Sequence, residues 1–285
     1  MIVTRFAPSP TGYLHLGHAF AAITAHDTAR KAGGSFLLRI EDIDTRRARR
    51  EYEGAILEDL TWLGLSWDGA VVRQSERFEF YRAAIAELDG AGLLYPCFCT
   101  RSEVAAEIAR AGEAPQGPEG PLYPGTCRSL SSAQRHDRTA SGDAYALRLD
   151  SGEAARRVGP LSFRELGRGP NGEAGDIAVN ATLLGDVVIA RKEMPTSYHL
   201  AVVVDDADQG VTRVTRGRDL FAAAHIQRVL QALLARPAPD YAHHRLILDA
   251  RGKRLAKRDA ATALHSLRQM GETPSDIRAM LAPMP

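Results

Sequence analysis

The chain of 285 residues is short of several things. It has three cysteines, too few at this length for a disulfide framework. A chain of this size buries roughly three quarters of its unfolded surface on folding, so it needs no covalent staple. No apolar run approaches the ~20 residues that span a bilayer. The opening MIVTRFAPSP lacks the charged-then-apolar layout of a secretion signal. These absences lead us to expect a reduced, cytoplasmic protein with no membrane partner. Net charge is also scarce, at +1, so no global field draws the chain to nucleic acid. Lysine is rare: of the 36 basic residues only Lys31, Lys192, Lys253 and Lys257 are Lys. There is no Gly-x-Ser-x-Gly, no His-Glu-x-x-His and no P-loop lysine, which removes the commonest hydrolase, zinc-protease and NTPase signatures. What remains is an ordinary globular composition, 45% hydrophobic and 25% charged, which excludes disorder, collagen and coiled coil.

Periodicity organises the chain. Ile2–Phe6 alternates as a strand, Pro8, Pro10 and Gly12 break it, and His15–Lys31 reads as a helix stopped at Gly33-Gly34. Ser35–Ile40 reads as a second strand, ending in Glu41-Asp42-Ile43-Asp44. Strand, helix and strand within 40 residues make a βαβ unit with parallel strands, whose active loops lie at the carboxyl ends. Helices are expected near Arg47–Leu63 and Arg77–Ala91. A buried-strand pattern returns at Gly185–Ala190 and His199–Asp205, a helix follows over Leu220–Leu234, and Arg245–Asp249 is strand-like within a mostly helical tail. The fold class is therefore α/β with a Rossmann-like parallel sheet. The expected divisions are 1–95 and 186–240 as halves of a catalytic domain, 96–185 as an inserted subdomain, and 241–285 as a basic loop with a short helical segment.

Two segments carry chemistry. In Arg5-Phe-Ala-Pro-Ser-Pro-Thr-Gly-Tyr-Leu-His-Leu-Gly-His18, the prolines fix the loop and His15 and His18 share one face of a helix start. Gly17 leaves room for a base or ribose against backbone. Helix N-terminal amides with two imidazoles suit an α-phosphate that gains charge in a transition state. Late in the chain, Lys253-Arg254-Leu255-Ala256-Lys257-Arg258 forms a basic loop able to stabilise a leaving pyrophosphate, with Lys257 as a compact point charge. A third feature, Cys97-Phe-Cys99 with Tyr123-x-x-x-Cys127, is open to two readings: three buried structural thiols, or thiolates and an oxygen donor around zinc.

The first two segments together resemble the HIGH-type and KMSKS-type motifs of class I aminoacyl-tRNA synthetases. The HIGH-type motif is His15-Leu-Gly-His18 and the KMSKS-type motif is Arg254-Leu-Ala-Lys-Arg258. In the latter, Arg254 stands for the first Lys, and Ala256 and Arg258 stand for the two Ser. The leading phrase with Arg39-Ile-Glu-Asp-Ile-Asp44 looks like the glutamyl branch. Ala201-Val-Val-Val-Asp-Asp206, with Val202 where tRNA-charging enzymes usually carry Asn, looks like the glutamyl-Q tRNA(Asp) synthetases. The resemblance implies His15, His18 and Lys257 as catalytic residues. It implies ATP contacts from Pro8, Thr11, Gly12, His15, Gly17, His18, Arg254, Leu255, Ala256, Lys257 and Arg258. Glutamate contacts would come from Arg5, Ala7, Ser9, Glu41, Tyr198 and Arg216, with Glu41 on the ammonium and the arginines on carboxylates. It also implies one structural Zn²⁺ on Cys97, Cys99, Tyr123 and Cys127, and Mg²⁺ entering with ATP.

The expected activity is tRNA-independent formation of glutamyl-adenylate, then transfer of glutamate to the queuosine base in the anticodon of tRNA(Asp), by a monomer. Only 27 residues follow Arg258, fewer than the ~50 of a minimal separate domain, so no anticodon reader is expected there. The competing expectations are a shortened glutamyl-tRNA synthetase charging a 3′ end, a non-catalytic tRNA- or amino-acid-binding regulator, and a small-molecule nucleotidyltransferase. Arg46–Arg50 and 96–185 are the expected tRNA-facing segments, because clustered basic residues meet phosphates.

Overall fold

The β-branched Val3 and Thr4 and the aromatic Phe6 favour extended backbone, and Val3–Phe6 is a strand, β1, buried on all but its first residue. This is a computed structural model, and it describes residues 1–110, 116–118, 120–248 and 263–282. Helix α1 (Leu16–Lys31) and strand β2 (Ser35–Ile40) complete a βαβ-type start, and β1 and β2 pair in parallel from Val3↔Ser35 to Phe6↔Leu38. Next come α2 (Arg50–Trp62), β3 (Val72–Arg73), α3 (Phe78–Gly90), β4 (Leu94–Cys97) and α4 (Arg101–Arg110). A two-rung hairpin β5 (Gln116–Gly117) and β6 (Gly120–Pro121) precedes α5 (Ser132–Ala140), β7 (Ala146–Leu149), α6 (Ser151–Val158), β8 (Ser162–Glu165), β9 (Gly175–Ala178) and β10 (Val188–Ala190). The remaining elements are α7 (Tyr198–Asp208), β11 (Arg213–Gly217), α8 (Phe221–Leu233), β12 (Asp240–His244), α9 (Leu264–Gln269) and α10 (Pro274–Leu281).

Two parallel half-sheets meet at one seam. The first is β1-β2-β3. The second is β11-β12-β8, with β9 added antiparallel at its edge. Thr212 joins them: its amide donates to the Val3 carbonyl, its hydroxyl accepts from the Val3 amide, and its carbonyl accepts from Asp240. Strands running outward from a central break form the doubly wound arrangement whose crevice opens at the carboxyl ends. Apart from these, β4, β7 and β10 form an antiparallel sheet.

Two expected elements differ. His199–Asp205, read as a buried strand, lies in helix α7. Leu200, Ala201, Val202, Val203 and Val204 are all buried in the core shared with α3 and α8, so no polar face marks a helical period. The strand expected at Arg245–Asp249 instead falls on Asp240–His244, which pairs with β11. Among the described residues, no helix is long and apolar enough to cross a membrane.

Candidate active site

The loop after β1 is tied to its surroundings by backbone bonds. The Glu41 amide donates to Pro8 O and the Arg49 amide to Pro10 O, which holds the Ala7–Gly12 segment beside the end of β2. His15 is the N-cap of α1. Its Nδ1 accepts from the Gly17 amide at 3.1 Å, and His18 Nδ1 accepts from the His15 amide at 3.2 Å. The rings lie 3.8 Å apart. Because both Nδ1 lone pairs are used in the cap, a neutral ring at either position carries its proton on Nε2. Gly17 serves this cap: a Cβ there would come within 3.0 Å of His15 Cε1. The room expected for a nucleotide against Gly17 is thus occupied on that side by the imidazole.

Ala263 bridges antiparallel to His15, and the Leu264 amide donates to Leu14 O, so the chain re-enters the described structure against the HIGH-type segment. Arg254, Leu255, Ala256, Lys257 and Arg258 lie outside the described residues.

The glutamate-type positions divide into two electrostatic groups. Arg5 is buried and binds Asp206 through Nε (3.0 Å) and Nη2 (3.2 Å). Arg39, fully buried, donates to the same Asp206 at 2.8 Å and reaches Glu41 at 3.4 Å. Burial pushes the Glu41 carboxyl above its ordinary value, while Arg39 and then Arg5 pull it down. Beside Asp206, Asp205 accepts from Gln74, Arg77 and Tyr81. Arg5 therefore reaches any substrate with two of its three nitrogens already committed to Asp206. Arg216 differs: Nε donates to His243 Nε2 at 3.0 Å and Nη1 to Gln227 Oε1 at 2.8 Å. The Arg216 guanidinium carbon lies 5.1 Å from the centre of the buried Tyr241 ring. Tyr198 opens α7 next to His199, whose imidazole burial and then Arg216 hold down at about 4. Val202 is in the apolar core. The residues missed in the sequence are Asp206 as the partner of Arg5, and His243, Glu165 and Gln227 around Arg216. Their separations from those arginines, 201 residues for Asp206 and 27 for His243, left no local signal.

The sulfur atoms of Cys97, Cys99 and Cys127 all lie within 4.8 Å of one another. The Tyr123 hydroxyl sits 3.4 Å from Cys97 Sγ and 3.8 Å from Cys99 Sγ. Zinc–sulfur bonds of ~2.3 Å in a tetrahedron put sulfurs ~3.8 Å apart, so this group could hold a metal. Burial, and then the hydrogen bond to Cys127, pushes the Cys99 thiol up to about 12. Burial also opposes ionisation of Cys127, but hydrogen bonds led by the Phe98 amide bring it below its ordinary value. Packed thiols of this kind ionise together only around a cation.

Comparison with known proteins agrees with this geometry. The family described as tRNA synthetases class I (E and Q), catalytic domain, matches residues 1–284. A glutamyl-Q tRNA(Asp) synthetase from Rhodobacter capsulatus is 53% identical over 98% of this chain and 99% of its own length. A glutamate–tRNA ligase from Aquifex aeolicus is 40% identical over 96% of this chain and 55% of its own. The crystal structure of a glutamate tRNA ligase from Elizabethkingia meningosepticum, in complex with its amino acid, superposes with a TM-score of 0.74 at 30% identity, over 91% of this chain and 52% of that one. The chain thus spans about half the length of the glutamate–tRNA ligases it matches. It belongs to the class I tRNA synthetases of the glutamyl and glutaminyl type, a family of ligases. Within that family it resembles the glutamyl-Q tRNA(Asp) synthetases over nearly its whole length.

Proposed function

We propose that the chain activates glutamate with ATP and transfers it to the queuosine base in the anticodon of tRNA(Asp). The observation that carries this reading is the 53% identity with the Rhodobacter relative along nearly all of both chains. Glu41 binds the substrate ammonium, and Arg216, with the uncommitted edge of Arg5, binds its carboxylates; Ala7, Ser9 and Tyr198 complete that pocket. The α-carboxylate attacks the α-phosphorus, the bond to the bridging oxygen breaks, and pyrophosphate leaves. The Nε2–H groups of His15 and His18 donate to the phosphate oxygens as charge builds, a contribution of about 3 kcal/mol per donor. Lys257 and its basic neighbours act on the leaving pyrophosphate, and Mg²⁺ bound with ATP neutralises part of the triphosphate charge. A hydroxyl of the queuosine ring then attacks the anhydride carbonyl and AMP departs.

In this reading Cys97, Cys99, Cys127 and the Tyr123 oxygen would hold one Zn²⁺, which would brace the loop beside the tRNA-facing groove. That groove is a cavity of about 900 Å³ whose basic lining includes Arg46, Arg47, Arg101, Arg148, Arg191 and Lys192. The 40% identity to the Aquifex ligase supports one other reading, charging of a tRNA 3′ end. Labelled glutamate, ATP and tRNA(Asp) with or without queuosine, followed by nuclease mapping, separates them. We expect label in the anticodon fragment that depends on queuosine. Label on the 3′-terminal adenosine would reject the proposal.

A further inference from the structure

Resting on the reading of Arg216 as a carboxylate clamp, we propose that Glu165, His243 and Gln227 are positioning residues that aim Arg216 through uncharged contacts, and so make the pocket choose an anionic side chain over its amide. The Glu165 carboxylate is fully buried. Its Oε1 accepts from the His243 amide (2.8 Å) and the Gly167 amide (2.8 Å), and its Oε2 lies 2.6 Å from His243 Nδ1. A Cβ at residue 167 would come within 2.2 Å of His243 O, so glycine is what lets the two segments close on each other.

On the far side of the ring, Arg216 Nε lies 3.0 Å from His243 Nε2. A guanidinium has no lone pair to offer, so Nε2 must accept and the ring proton must sit on Nδ1, facing Glu165. Burial supports a neutral ring by pushing His243 below the ordinary imidazole value, against the pull of Glu165. The carboxylate that fixes Arg216 is therefore one imidazole away from it.

Arg5 and Arg39 both bind Asp206 directly. Arg216, only 5% exposed, meets no carboxylate among the described residues. Its floor is the Tyr241 ring, 5.1 Å from the guanidinium carbon and stacked on His243 at an interplanar angle of 4°. Arg216 Nη2 and Gln227 Nε2 are buried donors without an acceptor among the described residues. A buried cation held only by uncharged groups, beside two unmet donors, is what an entering carboxylate satisfies. An amide brings one acceptor, two further donors and no charge. A direct acidic partner would cancel this preference.

The test is ATP–pyrophosphate exchange on the full chain, without tRNA, with glutamate or glutamine. His243→Ala should raise the glutamate KM about tenfold or more while the KM for ATP stays unchanged, and His243→Gln, which keeps an acceptor, should recover most of the loss. Gln227→Glu places an acid on Arg216 and should cut the preference for glutamate over glutamine about tenfold. Arg216→Ala is the reference. If Arg216→Ala raises the glutamate KM but His243→Ala and Gln227→Glu leave KM and preference unchanged, the positioning inference is wrong and the clamp stands. If Arg216→Ala itself leaves the glutamate KM unchanged, the clamp reading falls and the inference with it. Should His243→Ala fail to fold, Gln227→Glu decides alone.

Discussion

Asp59 sits on α2 with both carboxylate oxygens buried and without a hydrogen-bond partner among the described residues. The nearest compensation is Arg268 on α9, at 3.9 Å. Burial raises its pKa to about 6, against the smaller pull of Arg268 and His265. A carboxyl raised in the fold binds its proton more tightly there than in the unfolded chain. Asp59 therefore favours the fold at low pH and weakens it as pH rises from about 4 to about 6. Asp59→Asn removes that penalty. Urea unfolding should show the variant gaining on the parent by about 1 kcal/mol between pH 4 and pH 7. A constant difference across that range would show that Asp59 does not titrate there. Asp206 is the opposite case. Burial pushes it up, but Arg5 and then Arg39 hold it below the ordinary carboxylate value, so its contribution is present at neutral pH and is lost only on strong acidification.

At the scale of elements, the start of α1 is both a helix cap and a catalytic candidate, because the same imidazoles serve both. Gly17→Ala leaves helix propensity favourable but presses a methyl against the His15 ring. We expect adenylate formation to fall about tenfold or more, with little change in melting temperature, because a small displacement of a donor costs rate before it costs fold. Pyrophosphate exchange beside a thermal melt checks this. Equal losses in both would show that the glycine is only structural. The beginning of this region is legible in sequence: Ser35–Ile40 occurs as read, and α1 starts one residue after the expected His15, because His15 serves as its cap. Helix α7 is not legible. A run from Leu200 to Val204, buried on every side, has no period to read, and its β-branched valines lean toward strand. Glu165 and His243 are 78 residues apart, and only the parallel pairing of β12 with β8 brings them together.

For the whole molecule, the cysteine loop and the basic groove are in direct contact. Cys99 and Lys192 both line the groove, and Lys192 Nζ donates to Phe98 O at 2.9 Å. The His15–His18 helix start and the Arg216 cluster lie in other elements. On the proposed reading of one zinc on this cysteine group, Cys127→Ser should abolish metal binding, measured by elemental analysis of variant and parent. It should impair transfer to tRNA severalfold while glutamate-dependent pyrophosphate exchange survives. Equal activity in both steps with no zinc bound would remove the metal from the account.

Thr212 has a consequence of its own. Its hydrogen bonds join Val3, the first residue of β1, to the residue just before β11, whereas the two strands belong to separate ladders. Each of the two strands carries one of the candidate carboxylate-binding arginines, Arg5 on β1 and Arg216 on β11. On the proposed reading, a glutamate bound by both arginines would bridge the two half-sheets at positions the Thr212 hydrogen bonds do not reach.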